Sequence, residues 1–270
     1  MRYVNDLPIF AAFDAGAIAY PGTLVADVPA RLNAMMRSGE LDMGPVSAFE
    51  YAADADRYVL LPDLCIGARD EIVSVLLISA IPPALLGAAK IATTRESASG
   101  RNLLRILLER RYNVRPEFVE VDDPLAHARA GEPAMVIGDT AIDAAFEFPS
   151  ERVYDLGSLW RDWTGEQSVT AVWVARREVF QSRIEEVREC LHALTDAYSW
   201  GRAHRDDVIA IAQSVKPRPA GFYEIYYGKL NFTFHSAAQR GLAAYCRELH
   251  AIGAIEKIPP AVPEVIGVAQ

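Results

Sequence analysis

Ile72-Val73-Ser74-Val75-Leu76-Leu77-Ile78-Ser79 is an apolar run of strand length, closed off shortly afterwards by Ile81-Pro82-Pro83. A second run of the same kind, Val169-Thr170-Ala171-Val172-Trp173-Val174-Ala175, stands well downstream. Both are too continuous for a strand exposed on one face and far too short for a membrane span. Between them the pattern alternates regularly. Strands are expected over 90–94, 118–121 and 134–137, and helices over 99–111 and 124–130, the first carrying Leu103, Leu104, Leu107 and Leu108 on one face. Such alternation predicts an α/β fold with a mainly parallel sheet. The simplest geometry inserts 79–171 as a second lobe into a first lobe made of 1–78 plus 172–270. The strands 72–80 and 168–176 would then cross between the lobes. A cleft between lobes follows, with strand ends and helix starts facing it.

Working outward, Pro8 opens a first helix, and Val28, Leu32, Met35 and Met36 recur at helical spacing before Gly39 ends a second. A short strand over 41–46 ends at Ser47, and a helix follows it. Beyond 176 the chain turns helical: Phe180, Ile184, Val187, Leu191, Leu194 and Tyr198 form one face of a long helix. The first strand, ending at Tyr3-Val4-Asn5, is unusually short, as though an upstream piece were absent.

With 270 residues, 51% of them hydrophobic, the chain can bury a core without metal or disulfide staples. Its 27 basic against 36 acidic residues give a net charge of −9, which argues against a nucleic-acid partner. Cys65, Cys190 and Cys246 form no CxxC, and no HxxxH or HExxH occurs, so neither a metal nor a cofactor loop is expected. Without a long apolar stretch or a leader pattern, the expectation is a cytoplasmic protein that does not touch the membrane.

Five places can carry chemistry. Asn5, at the end of the first strand, either donates and accepts at a cleft edge or caps the helix that Pro8 opens. Ser47 faces the same choice before its helix. Ser74, polar within an apolar run, either back-bonds to the sheet or points into the cleft. Thr93-Thr94-Arg95-Glu96-Ser97-Ala98-Ser99 holds four hydroxyls in seven residues at a strand-to-helix turn. That is more than capping needs, and with the helix start it suits a carboxylate. Gly138 permits close backbone approach after a strand, and Asp139 beside it either lines the cleft or caps a helix. Spacing alone supports an anion-binding cleft and stops short of a reaction.

Taken in order, these segments resemble the chorismate dehydratase family of the futalosine menaquinone pathway. The resemblance rests on Tyr3-Val4-Asn5-Asp6-Leu7-Pro8, on Gly39-Glu40-Leu41-Asp42 with Pro45-Val46-Ser47 and Glu50-Tyr51, and on Val73-Ser74-Val75-Leu76-Leu77. It continues through Ser97-Ala98-Ser99, Ile137-Gly138-Asp139, Tyr154-Asp155-Leu156-Gly157, Thr164-Gly165 and Ala171-Val172-Trp173. It implies a two-lobed fold like the type II periplasmic binding proteins, with the ligand cleft between the lobes. It also implies a hydro-lyase that converts chorismate, a small dicarboxylate, to 3-[(1-carboxyvinyl)oxy]benzoate without cofactor or metal. Asn5 would be the catalytic residue, positioning the reacting ring or its hydroxyl. Ser74, Thr94, Ser97 and Ser99 would hold a carboxylate, while Ser47, Gly138 and Asp139 would line the cleft. No side chain stands out as the proton acceptor: Asp6 and Asp139 are open to the role but suit helix caps, and a carboxylate of the substrate itself could serve. Two departures bear on the substrate. Gly100 stands where the family's hydroxyl turn carries one hydroxyl more, and Glu166-Gln167-Ser168 replaces an apolar segment. They keep open a lyase with an altered anionic substrate, and a non-catalytic binding protein for a small carboxylate.

Overall fold

The structure, a computed structural model, describes residues 4–263. Its elements are α1 (Leu7–Asp14), α2 (Pro29–Ser38), β1 (Met43–Ser47), α3 (Ala48–Ala53), β2 (Tyr58–Ala68), β3 (Val75–Ile78) and β4 (Lys90–Thr93). They continue as α4 (Ala98–Ile106), β5 (Glu117–Glu120), α5 (Pro124–Arg129), β6 (Ala134–Ile137), α6 (Gly138–Glu147), β7 (Val153–Asp155) and α7 (Leu156–Thr164). The chain ends with β8 (Ser168–Arg176), α8 (Arg177–Ser182), α9 (Ile184–Ala203), α10 (Arg205–Val215), α11 (Phe222–Lys229), β9 (Leu230–Thr233) and α12 (Ser236–Ala251).

Two sheets carry the fold. The first has the order β1-β8-β2-β9 and the second β5-β4-β6-β3-β7. Parallel pairing is confined to β4 with its neighbours β5 and β6; every pair in the first sheet is antiparallel. The expected mainly parallel sheet is therefore not found: half the pairings of the second sheet and none of the first are parallel. The reason is β8: it returns from the second lobe and slots between β1 and β2, running opposite to both.

Neither apolar run crosses as a strand. β3 belongs wholly to the second sheet and β8 wholly to the first. The segments that join the two sheets are 69–74 and 156–167, the second of which holds α7. The cause lies at Ile72 and Val73. Their N–H groups donate to the Asp155 carboxylate at 3.0 and 2.6 Å, and the same carboxylate accepts from Ser158 N at 3.0 Å as the cap of α7. Donors committed to a side chain cannot join a ladder. Val73 also takes φ 67°, which a strand does not allow. Burial pushes the Asp155 pKa upward, and the three N–H groups pull it back by favouring the ionised form. Gly157 lets the two crossings touch, since a Cβ there would sit 2.6 Å from Asp70 O and 2.8 Å from Ile72 N.

β2 is long and irregular. Pro62 supplies no N–H and Asp63 takes φ 70°, so the register with β8 shifts between Leu60 and Cys65 and resumes beyond this irregularity.

Alternation along β8 explains its continuous apolar sequence. Val172 and Val174 belong to a core shared with α12, while Trp173 and Ala175 face the helical layer of α1 and α9. Both faces of the strand are thus buried. The core on the α12 side also reaches into the second lobe, taking in Leu103, Leu104, Leu107 and Met135. At about 1.5–3 kcal/mol per fully buried leucine, this apolar packing holds one side of the two lobes together. Cys65, Cys190 and Cys246 are unpaired, and burial pushes the Cys65 and Cys246 thiols up to about 12, as befits small core residues.

Candidate functional site

A cavity of about 190 Å³ lies between the sheets. The first lobe lines it with Asn5 and Asp6 from the turn before α1, with Asn33 of α2, and with the end of β1 at Ser47. The second lobe contributes Ser97, Ser99 and Gly100 from the start of α4, and Gly138 and Asp139 from the start of α6. Ser74 reaches it from the end of the first crossing. Seven of the residues singled out in the sequence thus meet on one surface. Thr94 does not join them. It stays in the β4–α4 turn, where its Oγ1 accepts from Glu96 N at 3.2 Å.

The strand-to-helix turns place these groups. Ser47 Oγ accepts from Glu50 N at 3.1 Å and Ser97 Oγ accepts from Gly100 N at 3.2 Å, so both hydroxyls are caps and cavity groups at once. A capping hydroxyl uses a lone pair and keeps its proton to donate. Ser99 Oγ accepts from Phe49 N at 2.9 Å, and its carbonyl accepts from the Tyr245 hydroxyl at 3.0 Å. Ser99 therefore ties the second lobe to the first. Ser74 O accepts from Gly138 N at 2.8 Å, and its hydroxyl meets that of the buried Tyr226, whose ionisation burial pushes far upward. Gly138 adopts φ 59°, which lets α6 begin directly at the cavity wall.

For Asn5 the capping reading does not hold. The cap position of α1 is Asp6, whose side chain makes no capping hydrogen bond, and among the described residues none holds the Asn5 amide either. That amide can both donate and accept in the cavity.

Among the described residues no lysine or arginine stands on the cavity wall, whereas Asp6, Asp27, Glu96 and Asp139 do. The described wall offers an anion hydroxyls, amides and backbone N–H groups. The starts of α3, α4 and α6 converge on the cavity and supply these with the favourable sign of the helix dipole. Among the described residues no group of three or more His, Cys, Asp or Glu gathers to hold a metal, and no helix is long and apolar enough to cross a membrane.

Three groups escaped the sequence reading. Asn33, 8% exposed, receives Ser47 N on its Oδ1 at 3.2 Å and points its Nδ2 to Ser47 Oγ at 3.4 Å. A polar residue three before the buried Met36 on the same helix face was its signal. Thr170 bonds Ile66 O at 3.0 Å. Arg218 stands behind Asp139, its Nη2 3.5 Å from Asp139 Oδ1, and also pairs with Asp143. No local pattern marks it.

A family profile described as menaquinone biosynthesis matches residues 1–251. The chorismate dehydratase of Thermus thermophilus is 32% identical over 194 residues, spanning 66% of this chain and 68% of that protein. Among solved structures, a protein of Archaeoglobus fulgidus superposes with a TM-score of 0.72 at 18% identity, covering 94% of this chain and 96% of that one. The periplasmic aliphatic sulphonate binding protein of Escherichia coli gives 0.66 at 14% identity, covering 99% and 92%. A Candida albicans protein of the generic periplasmic-binding-protein fold gives 0.64 at 12% identity, covering 94% and 89%. These structural likenesses bear out the expected fold, that of the two-lobed periplasmic binding proteins.

Proposed function

The chain belongs to the menaquinone biosynthesis family, and from that membership we propose that it is a chorismate dehydratase, a hydro-lyase yielding 3-[(1-carboxyvinyl)oxy]benzoate and water. The observation that supports this most directly is the meeting of Asn5, Ser47, Ser74, Ser97, Ser99, Gly138 and Asp139 on one cavity between the lobes.

The chemistry asks little of a catalyst beyond placement. Chorismate carries a proton on the ring carbon that bears the enol ether and a hydroxyl on the next carbon. The proton leaves, its C–H electrons become the third ring double bond, and the C–O bond to the hydroxyl breaks. The hydroxyl takes up a proton and departs as water. Aromatic stability drives the step, so the protein's task is to orient the ring, stabilise charge and exclude bulk water. The Asn5 amide would hold the departing hydroxyl or the ring edge. Ser74, Ser97 and Ser99, with the starts of α4 and α6, would hold a carboxylate. The proton would pass to one of the substrate's own carboxylates, a route suggested by the lack of a side chain dedicated to that task.

The test is direct. Purified protein incubated with chorismate should form the aromatic enol ether, followed by its ultraviolet absorption and by mass. The similarity to a sulphonate-binding protein supports a second reading, a non-catalytic carboxylate binder. That reading predicts a raised melting temperature with chorismate and no product. Neither product nor stabilisation would remove chorismate from consideration.

A further inference from the structure

We propose that Arg218 is a latch between the lobes and the positioning residue for the α6 wall of the site; its link to chorismate rests on the dehydratase reading above.

The topology separates the two halves of this contact. Arg218 lies in the loop between α10 and α11, in the layer packed on the first sheet, while α6 follows β6 in the second. The Arg218 side chain is nevertheless 5% exposed, because it is sunk against α6. Its Nη1 bonds Asp143 Oδ1, and its Nη2 reaches Asp139 O at 3.4 Å and Asp139 Oδ1 at 3.5 Å. Lys216 Nζ adds a second cation 3.5 Å from Asp143 Oδ2. The Phe146 and Phe222 rings meet across the same gap, 5.8 Å between centroids. The loop itself is pinned: Arg218 N donates to Gln213 Oε1 at 2.7 Å, and Gln213 Nε2 donates to Arg218 O at 2.9 Å. The guanidinium is thus presented from a fixed backbone.

The two sides of the interlobe contact differ in kind. On the α4 side an apolar core runs without a break from Leu103 and Leu104 to Leu242 and Leu249. Opening that side would wet it. On the α6 side the apolar contact is narrower, with Ile142 entering the first-lobe core and Phe146 meeting Phe222, and the rest is charge, with Arg218 Nε buried there without a hydrogen-bond partner. Ion pairs separate into water at small net cost, because each ion regains its hydration. The cleft should therefore open at α6 and pivot about the α4 side.

Closing the latch also completes the site. Asp139 stands on the cavity wall, and its Oδ1 is buried without a hydrogen bond. Left alone, that carboxylate would repel an incoming dianion. Arg218 neutralises it from behind and holds the start of α6, with Gly138, against Ser74. Substrate affinity then depends on the fraction of molecules with the latch shut.

The test uses R218Q, R218K and D143N in the full chain. R218Q should raise KM for chorismate about tenfold, within the usual range of coupled equilibria. Its kcat should stay within about twofold and its melting temperature near that of the wild type, with R218K recovering part of the KM. R218Q should raise KM more than D143N, because it removes the Asp139 contacts as well as the Asp143 pair, and the double variant should be no worse than R218Q. Unchanged KM in R218Q would overturn the proposal. So would kcat and melting temperature falling together without recovery in R218K. A second measurement needs no substrate: by small-angle scattering of the ligand-free proteins, R218Q should have a larger radius of gyration than the wild type. Equal radii would refute the latch even if chorismate proves not to be the substrate. A larger radius with no turnover in either protein would count against the dehydratase reading alone.

Discussion

Asp155→Ala should cost this protein a large part of its stability through a contact that touches no ligand. The carboxylate accepts from Ile72 N, Val73 N and Ser158 N at 3.0, 2.6 and 3.0 Å. The bond from Ser158 N is the α7 cap that Asp155 provides, worth about 1 kcal/mol. The other two donors lie in the crossing segment beside Ile72, which is 3% exposed, and a buried donor left unpaired costs about 1–3 kcal/mol. Because burial also raises the Asp155 pKa, the lower end of that range applies to each donor. The sum is about 3–4 kcal/mol, against a total of about 5–15 kcal/mol for a domain. For a chain of this length it corresponds to a fall in melting temperature of about 10 °C. Urea denaturation followed by circular dichroism gives the free energy, and calorimetry gives the temperature. Asp155→Asn should recover little of the loss, since its amide nitrogen would turn a donor toward one of these N–H groups. The active variant should also bind substrate more weakly, because Ser74 and its bond to Gly138 N follow directly on the loosened segment. A loss below about 1 kcal/mol would refute the argument that this carboxylate fixes the crossing.

Asn5→Ala should lower kcat about 100-fold, the usual effect of removing a placed polar group, with melting temperature almost unchanged because among the described residues none is held by the amide; activity near wild type would leave Asn5 as a mere helix-start residue. Gly67→Ala should destabilise by about 1–3 kcal/mol, since the new Cβ would fall 2.3 Å from Ser168 O in the paired strand, and a melting curve matching the wild type would contradict the close β2–β8 approach. Hydrogen bonds from Arg183, then Arg176, hold the Asp42 carboxyl below the ordinary carboxylate value. Its stabilising contribution is therefore present above that ordinary value and lost as pH falls through it toward the depressed one. The stability difference between wild type and Asp42→Asn, measured by urea titration from neutral to acid pH, should close over that window; a constant difference would show that the ion pairs contribute nothing.

Most of the cavity was legible because its groups serve local structure as well. Ser47 and Ser97 had to be hydroxyls to start α3 and α4, and Gly138 had to be glycine to start α6 at φ 59°. Ser74 stood out because a polar group inside an apolar run needs a partner. Thr94 carried the same local signal and failed, because its hydroxyl is taken up inside the turn by Glu96 N. The strand boundaries failed where a side chain far along the chain intervened: Asp155 is 82 residues from Val73 and removes its N–H from the sheet.

What the sequence determined by itself is the alternation of strands and helices, the capped helix starts, and through family resemblance the ligand class. Each depends on neighbours within a few residues or on motifs that keep their order along the chain. Only the tertiary structure decided that β8 slots backwards between β1 and β2, that neither apolar run crosses between the sheets as a strand, and that Arg218 closes on Asp139 and Asp143. Arg218 and Asp139 are 79 residues apart and on different lobes. Nothing in the spacing of either marks the other, because an ion pair needs only proximity in space, and the packing of two sheets, not the local chain, provides it.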